Sequence, residues 1–221
     1  MASEDERGGR IAASYDLVAE EYANTFFDEL ARKPFDRQLL DRFAQSVQAL
    51  GLVCDVGCGP GHIARYLYER GVQVCGLDLS AEMVRVAQRL NPQIPFEQGN
   101  MLSLSAPDGT WGGIACFYSL IHLSRSVVPQ ALAGFWRALR PGGRLLLAVH
   151  GGAGEVHSGE WFGKPVSIDA TLFESQELAG YLGAAGFAVE ESLARSPYDF
   201  EYQTQRLYLF ASKPARAPEP G

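Results

Sequence analysis

The residues of this chain best suited to chemistry begin at Asp55-Val56-Gly57-Cys58-Gly59-Pro60-Gly61, between an apolar run and a stretch with helical spacing. Glycines in such a loop let the backbone turn sharply and let a ligand approach without a Cβ in the way. The ligand then lies beside backbone N–H groups at a helix N-terminus. The loop alone does not choose the ligand. A dinucleotide fingerprint, G-x-G-x-x-G, would need its third glycine at position 62, which is His62. Asp55, ahead of the first glycine, would repel a pyrophosphate and suits a ligand carrying a positive ammonium group. Asp78 ends the next apolar run, where a carboxylate can accept hydrogen bonds from both hydroxyls of a ribose.

A second set of polar and aromatic residues follows later apolar runs. Phe117, Tyr118, Ser119 and His122 come after the fourth, at the carboxyl edge where open α/β sheets bind ligands. His122 is a candidate general base, or a helix-start histidine satisfied by a backbone carbonyl. His150 ends the fifth run with the same two readings. His157, Glu160 and Trp161 fall in a segment rich in Gly, His and Trp, either a wall for a substrate or a surface loop. Arg206, with Tyr202 nearby, is either a carboxylate clamp or an exposed strand-end charge. His150, His157 and Glu160 match no defined metal-ligand spacing, so no metal is expected.

The elements that must position these residues are legible as periodicities. Tyr15, Val18, Ala19, Tyr22 and Phe26 recur at helical spacing. Pro34 opens a second helix, with Phe35, Leu39, Leu40, Phe43 and Val47 on its apolar face. Then short apolar runs alternate with helices: strands over 52–56, 72–77, 94–98, 114–118 and 144–149, with helices after Gly61 and over 81–90 and 127–139. Such alternation predicts a parallel sheet with helices on both faces and right-handed crossovers. Residues 151–170 show little periodicity. A helix over 175–184 and strands over 187–194 and 206–211 close the chain, the two strands as an antiparallel pair because their loop is too short for a crossover. The expected organisation is a disordered N-terminus over 1–10, one domain over 11–212 with a helical lid over 11–50 and an insertion over 151–170, and a disordered tail over 213–221.

Composition narrows the partners. The chain has 221 residues, 47% hydrophobic and 20% charged, with 19 Lys and Arg against 26 Asp and Glu for a net charge of −7. That balance opposes broad phosphate contact, so no nucleic-acid partner is expected. No apolar run suits a membrane span or a secretory signal. Cys54, Cys58, Cys75 and Cys116 fit neither a zinc ribbon nor a disulfide framework. The default is a cytoplasmic protein, monomeric or homodimeric.

In these motifs the chain resembles the class I S-adenosylmethionine-dependent methyltransferases of small-molecule type. Asp55 to Gly61 resembles their first motif and Asp78-Leu79-Ser80-Ala81-Glu82-Met83 their acidic second. Gly99-Asn100-Met101 resembles the third, and Leu139-Arg140-Pro141-Gly142-Gly143 the turn into their fifth strand. Phe187 after Ala185-Gly186 resembles the start of the sixth. The match runs in order from about residue 50 to 212. Tyr15-Asp16 followed by Tyr22 is similar to the N-terminal helix of many members. The resemblance implies a Rossmann-like, doubly wound, seven-stranded sheet, mostly parallel with an antiparallel last strand, under an N-terminal helical lid. It implies S-adenosyl-L-methionine as cofactor. Gly57, Cys58, Gly59 and Gly61 would line the methionine part, with Asp55 near its polar end. Asp78 would hold the ribose and Asn100 the adenine amine, Met101 and Leu79 would pack on the ring, and Tyr15, Met83 and Phe117 would complete the site. Where the family commonly has Asp this chain has Asn100, which can both accept and donate. Where members often begin the fourth strand with Phe-Asp, this chain has Trp111-Gly112.

The expected reaction is methyl transfer to a small organic molecule at O, N, S or C. Its acceptor pocket would be bounded by Tyr22, Tyr118, His122, His150, His157, Trp161 and Arg206, with His122 as the candidate catalytic residue. Three rivals remain: methylation of RNA or protein, a binding protein that transfers nothing, and a nicotinamide oxidoreductase, which His62 and Asp55 oppose.

Overall fold

The computed structural model describes residues 3–215. A seven-stranded sheet forms its centre, in the order β3-β2-β1-β4-β5-β9-β8. The strands are β1 (Val53–Val56), β2 (Val74–Asp78), β3 (Phe96–Gln98), β4 (Trp111–Phe117), β5 (Leu139–Gly151), β8 (Ala188–Arg195) and β9 (Gln205–Ser212). β1 to β5 pair in parallel, whereas β9 runs antiparallel between β5 and β8. Because β2 and β4 flank β1 on opposite sides, the chain reverses its winding there, and the loop after β1 sits at the switch point where such sheets bind ligands.

Helices α1 (Glu4–Phe26), α2 (Pro34–Val47), α3 (His62–Tyr68), α4 (Ala81–Leu90), α5 (Val128–Ala138) and α6 (Ser175–Ala184) complete the fold. One face of the sheet packs on α5 and α6 through Leu132, Phe135, Leu178 and Leu182. The other packs on α2, α3 and α4 through Leu40, Phe43, Ile63, Leu67 and Val84.

Four expectations change. The N-terminus is helical from Glu4, because Ser3 and Glu6 form a reciprocal capping box and Glu4, Asp5 and Glu6 favour the positive end of the helix dipole. The lid does not extend over 11–50. α1 alone covers the sheet edge, while α2 belongs to the core, with Phe43 and Val47 packed so close to Gly113 that a Cβ there would lie 2.8 Å from Val47. The insertion is a β-hairpin, β6 (Glu155–Trp161) and β7 (Lys164–Thr171), forming a separate two-stranded sheet. Phe162 and Gly163, both at positive φ, make its two-residue turn. At the other end Lys213 is tied down, its ammonium donating to the carbonyls of Trp136 and Leu139, each at 2.8 Å. Residues 1–2 and 216–221 of the two expected disordered ends lie outside the described residues. Among the described residues no helix is long and apolar enough to cross a membrane.

Candidate active site

A cavity of about 340 Å³ opens between the carboxyl ends of β1, β2 and β4 and the underside of α1. Its floor is the glycine loop. Gly57, at φ +72°, accepts no side chain, since a Cβ there would lie 2.1 Å from Cβ of Ser119. Ser119 in turn donates to the carbonyl of Val56 at 2.7 Å, which fastens the loop to the end of β4. Gly61, at φ +83°, begins α3, and its missing Cβ leaves room for Phe96 and Asn91.

A glycine cap has no side chain to satisfy the first helical N–H groups. Asp55 supplies the acceptor from the neighbouring strand, its carboxylate receiving the Ala64 N–H at 3.0 Å. Asp55 is only 1% exposed and does not line the cavity. The sequence-based expectation of Asp55 beside a ligand ammonium therefore gives way to a helix-capping role. Burial pushes its carboxyl from the ordinary 3.8 up to about 8. The folded protein thus holds this proton to near pH 8, whereas the unfolded chain releases it near pH 4, so stability declines as pH rises between the two. Asp55→Asn keeps an acceptor for Ala64 and cannot ionise. Its melting temperature should exceed that of the wild type at pH 8, with the difference vanishing at pH 4. A variant less stable at pH 8 than at pH 4, relative to wild type, would contradict this.

Asp78 does face the cavity. One carboxylate oxygen accepts the Gly59 N–H at 2.8 Å and the other the Ser80 N–H at 2.9 Å. Desolvation pushes its carboxyl up, and these two backbone donors pull it down. Leu79, Met83, Asn100 and Met101 continue the wall. The Asn100 side-chain oxygen accepts the Leu102 N–H at 2.9 Å, which leaves its amide hydrogens free to donate. Gln98, Gly99 and Leu102 lie alongside.

α1 is the roof. Gly8, Ile11, Ala12, Tyr15 and Tyr22 line it. Arg7, buried at 9% exposure, donates to the His122 carbonyl at 2.8 Å and reaches Glu155 and Thr171. Asp16 accepts from the Ser80 hydroxyl at 2.5 Å and the Glu82 N–H at 3.0 Å, tethering α1 to the start of α4. Ile11 and Val18 pack on Val166 and Ile168, so roof and hairpin form one apolar unit.

The sequence and the fold are similar to those of known proteins. Residues 53–143 match the family model described as a methyltransferase domain. An uncharacterized methyltransferase of Geobacillus kaustophilus is 33% identical over 138 residues, 62% of this chain and 62% of that protein. Over these residues the chain is similar to known methyltransferases. The chain spans between 50% and 62% of the length of the first curated relatives it matches. Among solved structures, a DhpI complex with S-adenosylhomocysteine superposes with a TM-score of 0.76 at 22% identity, covering 97% of this chain and all of that one. The Burkholderia thailandensis 1,6-didemethyltoxoflavin-N1-methyltransferase, with that compound and S-adenosylhomocysteine bound, gives 0.71 at 21% identity, covering 97% and 92%.

The methyltransferase cofactor suits what the cavity offers. A carboxylate and a glycine loop lie at one part, free amide hydrogens and apolar side chains at another. Of the residues singled out by sequence, Tyr15, Gly57, Cys58, Gly59, Asp78, Leu79, Met83, Asn100, Met101, Phe117, Tyr22, Tyr118 and His122 line this cavity. Asp55, Gly61, His150, His157, Trp161 and Arg206 do not. Gly61 lies behind the loop, against Phe96. Trp161 packs edge-on against Tyr15 and Tyr22 from outside, at 5.9 and 5.4 Å. His157 is exposed and paired with Asp169. Arg206 is neither an exposed charge nor free to clamp a ligand: at 3% exposure it donates to Thr204 and His150 and lies 3.6 Å from Glu201. Its guanidinium only donates, so His150 Nδ1 accepts and its proton sits on Nε2. Desolvation and Arg206 hold His150 down to about 3. Sequence reasoning missed the roof residues Gly8, Ile11 and Ala12.

Proposed function

We propose that this chain transfers a methyl group from S-adenosylmethionine to a small organic acceptor. Support comes from one observation above all. One cavity roofed by α1 is lined by the Asp78 carboxylate, the glycine loop and Asn100 together with Tyr15, Tyr22, Tyr118 and His122. In this reading Asp78 accepts from the ribose hydroxyls while still bracing the loop. Met101 and Leu79 cover the adenine, and Asn100 donates to a ring nitrogen. Gly57, Cys58 and Gly59 lie along the methionine portion. The cofactor supplies an electrophilic methyl on a sulfonium. The chain holds a nucleophile opposite it and keeps water out, and such orientation is worth up to about 7–11 kcal/mol of barrier.

A cavity of about 340 Å³ closed by α1 suits a small acceptor. The net charge of −7 disfavours a nucleic-acid one. The solved relative holding 1,6-didemethyltoxoflavin is in keeping with this class of acceptor. The test is a panel of hydroxyl-, thiol- and amine-bearing metabolites incubated with protein and S-adenosylmethionine, read by release of S-adenosylhomocysteine. Turnover of at least one small acceptor is expected. Cofactor binding without turnover of any would favour a binding protein.

A further inference from the structure

Tyr15 and His122 meet at the wall of the cavity. The tyrosine hydroxyl and His122 Nε2 are 2.9 Å apart, with the rings edge to face at 5.3 Å. The other ring nitrogen, Nδ1, lies 3.0 Å from the Asp169 carbonyl oxygen. A carbonyl only accepts, so Nδ1 carries the imidazole proton and Nε2 is the acceptor. The Tyr15 hydroxyl must then donate. The relay therefore has one direction, from Tyr15 O–H to His122 Nε2 and from His122 Nδ1–H to Asp169. Arg7 fixes its middle by donating to the His122 carbonyl at 2.8 Å. The Nε2 lone pair is taken, so His122 cannot itself meet an acceptor while Tyr15 stands there. The tyrosine oxygen keeps its own lone pairs.

We propose that Tyr15 receives the proton of the methyl acceptor and that His122 is the positioning residue behind it, which takes up the proton Tyr15 gives away. The proposal rests on the methyl-transfer reading and narrows it to protic nucleophiles: a hydroxyl, a thiol or an N–H. As the acceptor atom bonds to carbon, the carbon–sulfur pair stays on sulfur. The acceptor's proton passes to the Tyr15 oxygen, and the former Tyr15 proton passes to Nε2. The positive charge lost at the sulfonium reappears on the imidazolium, so the site's net charge is unchanged through the step. That balance matters in a desolvated cavity, where a new unpaired charge is costly. The imidazolium then returns its proton to solvent as product leaves.

The charged and titratable groups around the pair are Arg7 and Tyr22 from α1, Asp78 from β2, His150 from β5 and Asp169 from β7. Desolvation and Arg7 hold the His122 imidazole down to about 4, against the support of the Asp169 carbonyl. Desolvation and Asp78 push the Tyr15 hydroxyl up. Before reaction the relay is therefore neutral and loaded in one direction.

The test has two arms. Nitrogen NMR of histidine-labelled protein with S-adenosylhomocysteine should show His122 protonated at Nδ1 and bare at Nε2 from pH 5 to 8. In Tyr15→Phe the Nε2 resonance alone should move to that of an unbonded nitrogen. A proton on Nε2 in the wild type overturns the proposal whatever the turnover. The second arm uses phenols of graded acidity as acceptors, read by S-adenosylhomocysteine release. Tyr15→Phe and His122→Gln should each lower kcat on the order of 10²-fold for weakly acidic phenols. Both should lose far less for phenols already ionised, and the double variant should be no slower than either single one. Equal losses across the series, or additive ones, would overturn the relay but leave methyl transfer standing. Absence of release by the wild type with every phenol and with the metabolite panel would overturn both.

Discussion

Asp78→Ala should weaken S-adenosylmethionine binding by tenfold or more while the protein stays folded. Hydrogen bonds to a charged group are worth about 1.5–3 kcal/mol each, and a ribose diol offers two. The loss has a second source within the protein. Asp78 accepts from the Gly59 and Ser80 N–H groups at 2.8 and 2.9 Å, so alanine also frees the middle of the glycine loop. Asp78→Asn separates the two sources. Its remaining oxygen can brace one of the two backbone donors, but the charge is gone, so it should fall between wild type and alanine. Calorimetric titration reads both. Unchanged affinity in the alanine variant would remove Asp78 from the cofactor site.

Removing residues 1–28 should abolish turnover, by on the order of 10²-fold or more, through loss of orientation and water exclusion. The deletion takes Tyr15 and Tyr22 from the cavity wall and Arg7 from its contact with the His122 carbonyl at 2.8 Å. The remaining domain should still fold, because neither of the two apolar clusters flanking the sheet contains a residue of α1. Circular dichroism and a cooperative melt check the fold, and S-adenosylhomocysteine release checks turnover. A truncated protein that stays folded and turns over normally would show that α1 is not a functional roof.

The parts of this architecture that repeat were legible in the sequence. Alternating apolar runs and helices placed β1 to β5 in order, and the helix over Ala81–Leu90 agrees in both its ends. The glycine loop and Asp78 were legible because local backbone chemistry places them: a tight turn at a strand end, and a carboxylate one strand away. What escaped depends on contacts distant in sequence. Asp55 looked like a ligand-facing acid, yet Gly61 is the cap of α3 and leaves an N–H group that needs this carboxylate. A glycine cap followed by no Ser, Thr or Asp was the available signal. Ser3 and Glu6 carried the spacing of a capping box, and that pattern outweighs the polar, acidic composition that suggested disorder.

The hairpin was hidden because few of its positions are apolar and inward-facing: Val166 and Ile168 of β7 meet α1. The alternation Val166-Ser167-Ile168-Asp169-Ala170 is a period-two signal, but it spans one strand only, since its partner β6 has no buried apolar residue. Arg206 and His157 show the limit of reading one strand at a time. Register pairs Arg206 with His150 across β5 and β9, and His157 with Asp169 across β6 and β7. No spacing along the chain reveals those partners.

The most direct test of the cofactor assignment is a calorimetric titration of the wild-type protein with S-adenosylhomocysteine and, separately, with NADH. Saturable, one-to-one binding of S-adenosylhomocysteine is expected, with no detectable heat of binding from NADH. Saturable NADH binding at micromolar concentration, or no binding of S-adenosylhomocysteine, would contradict it.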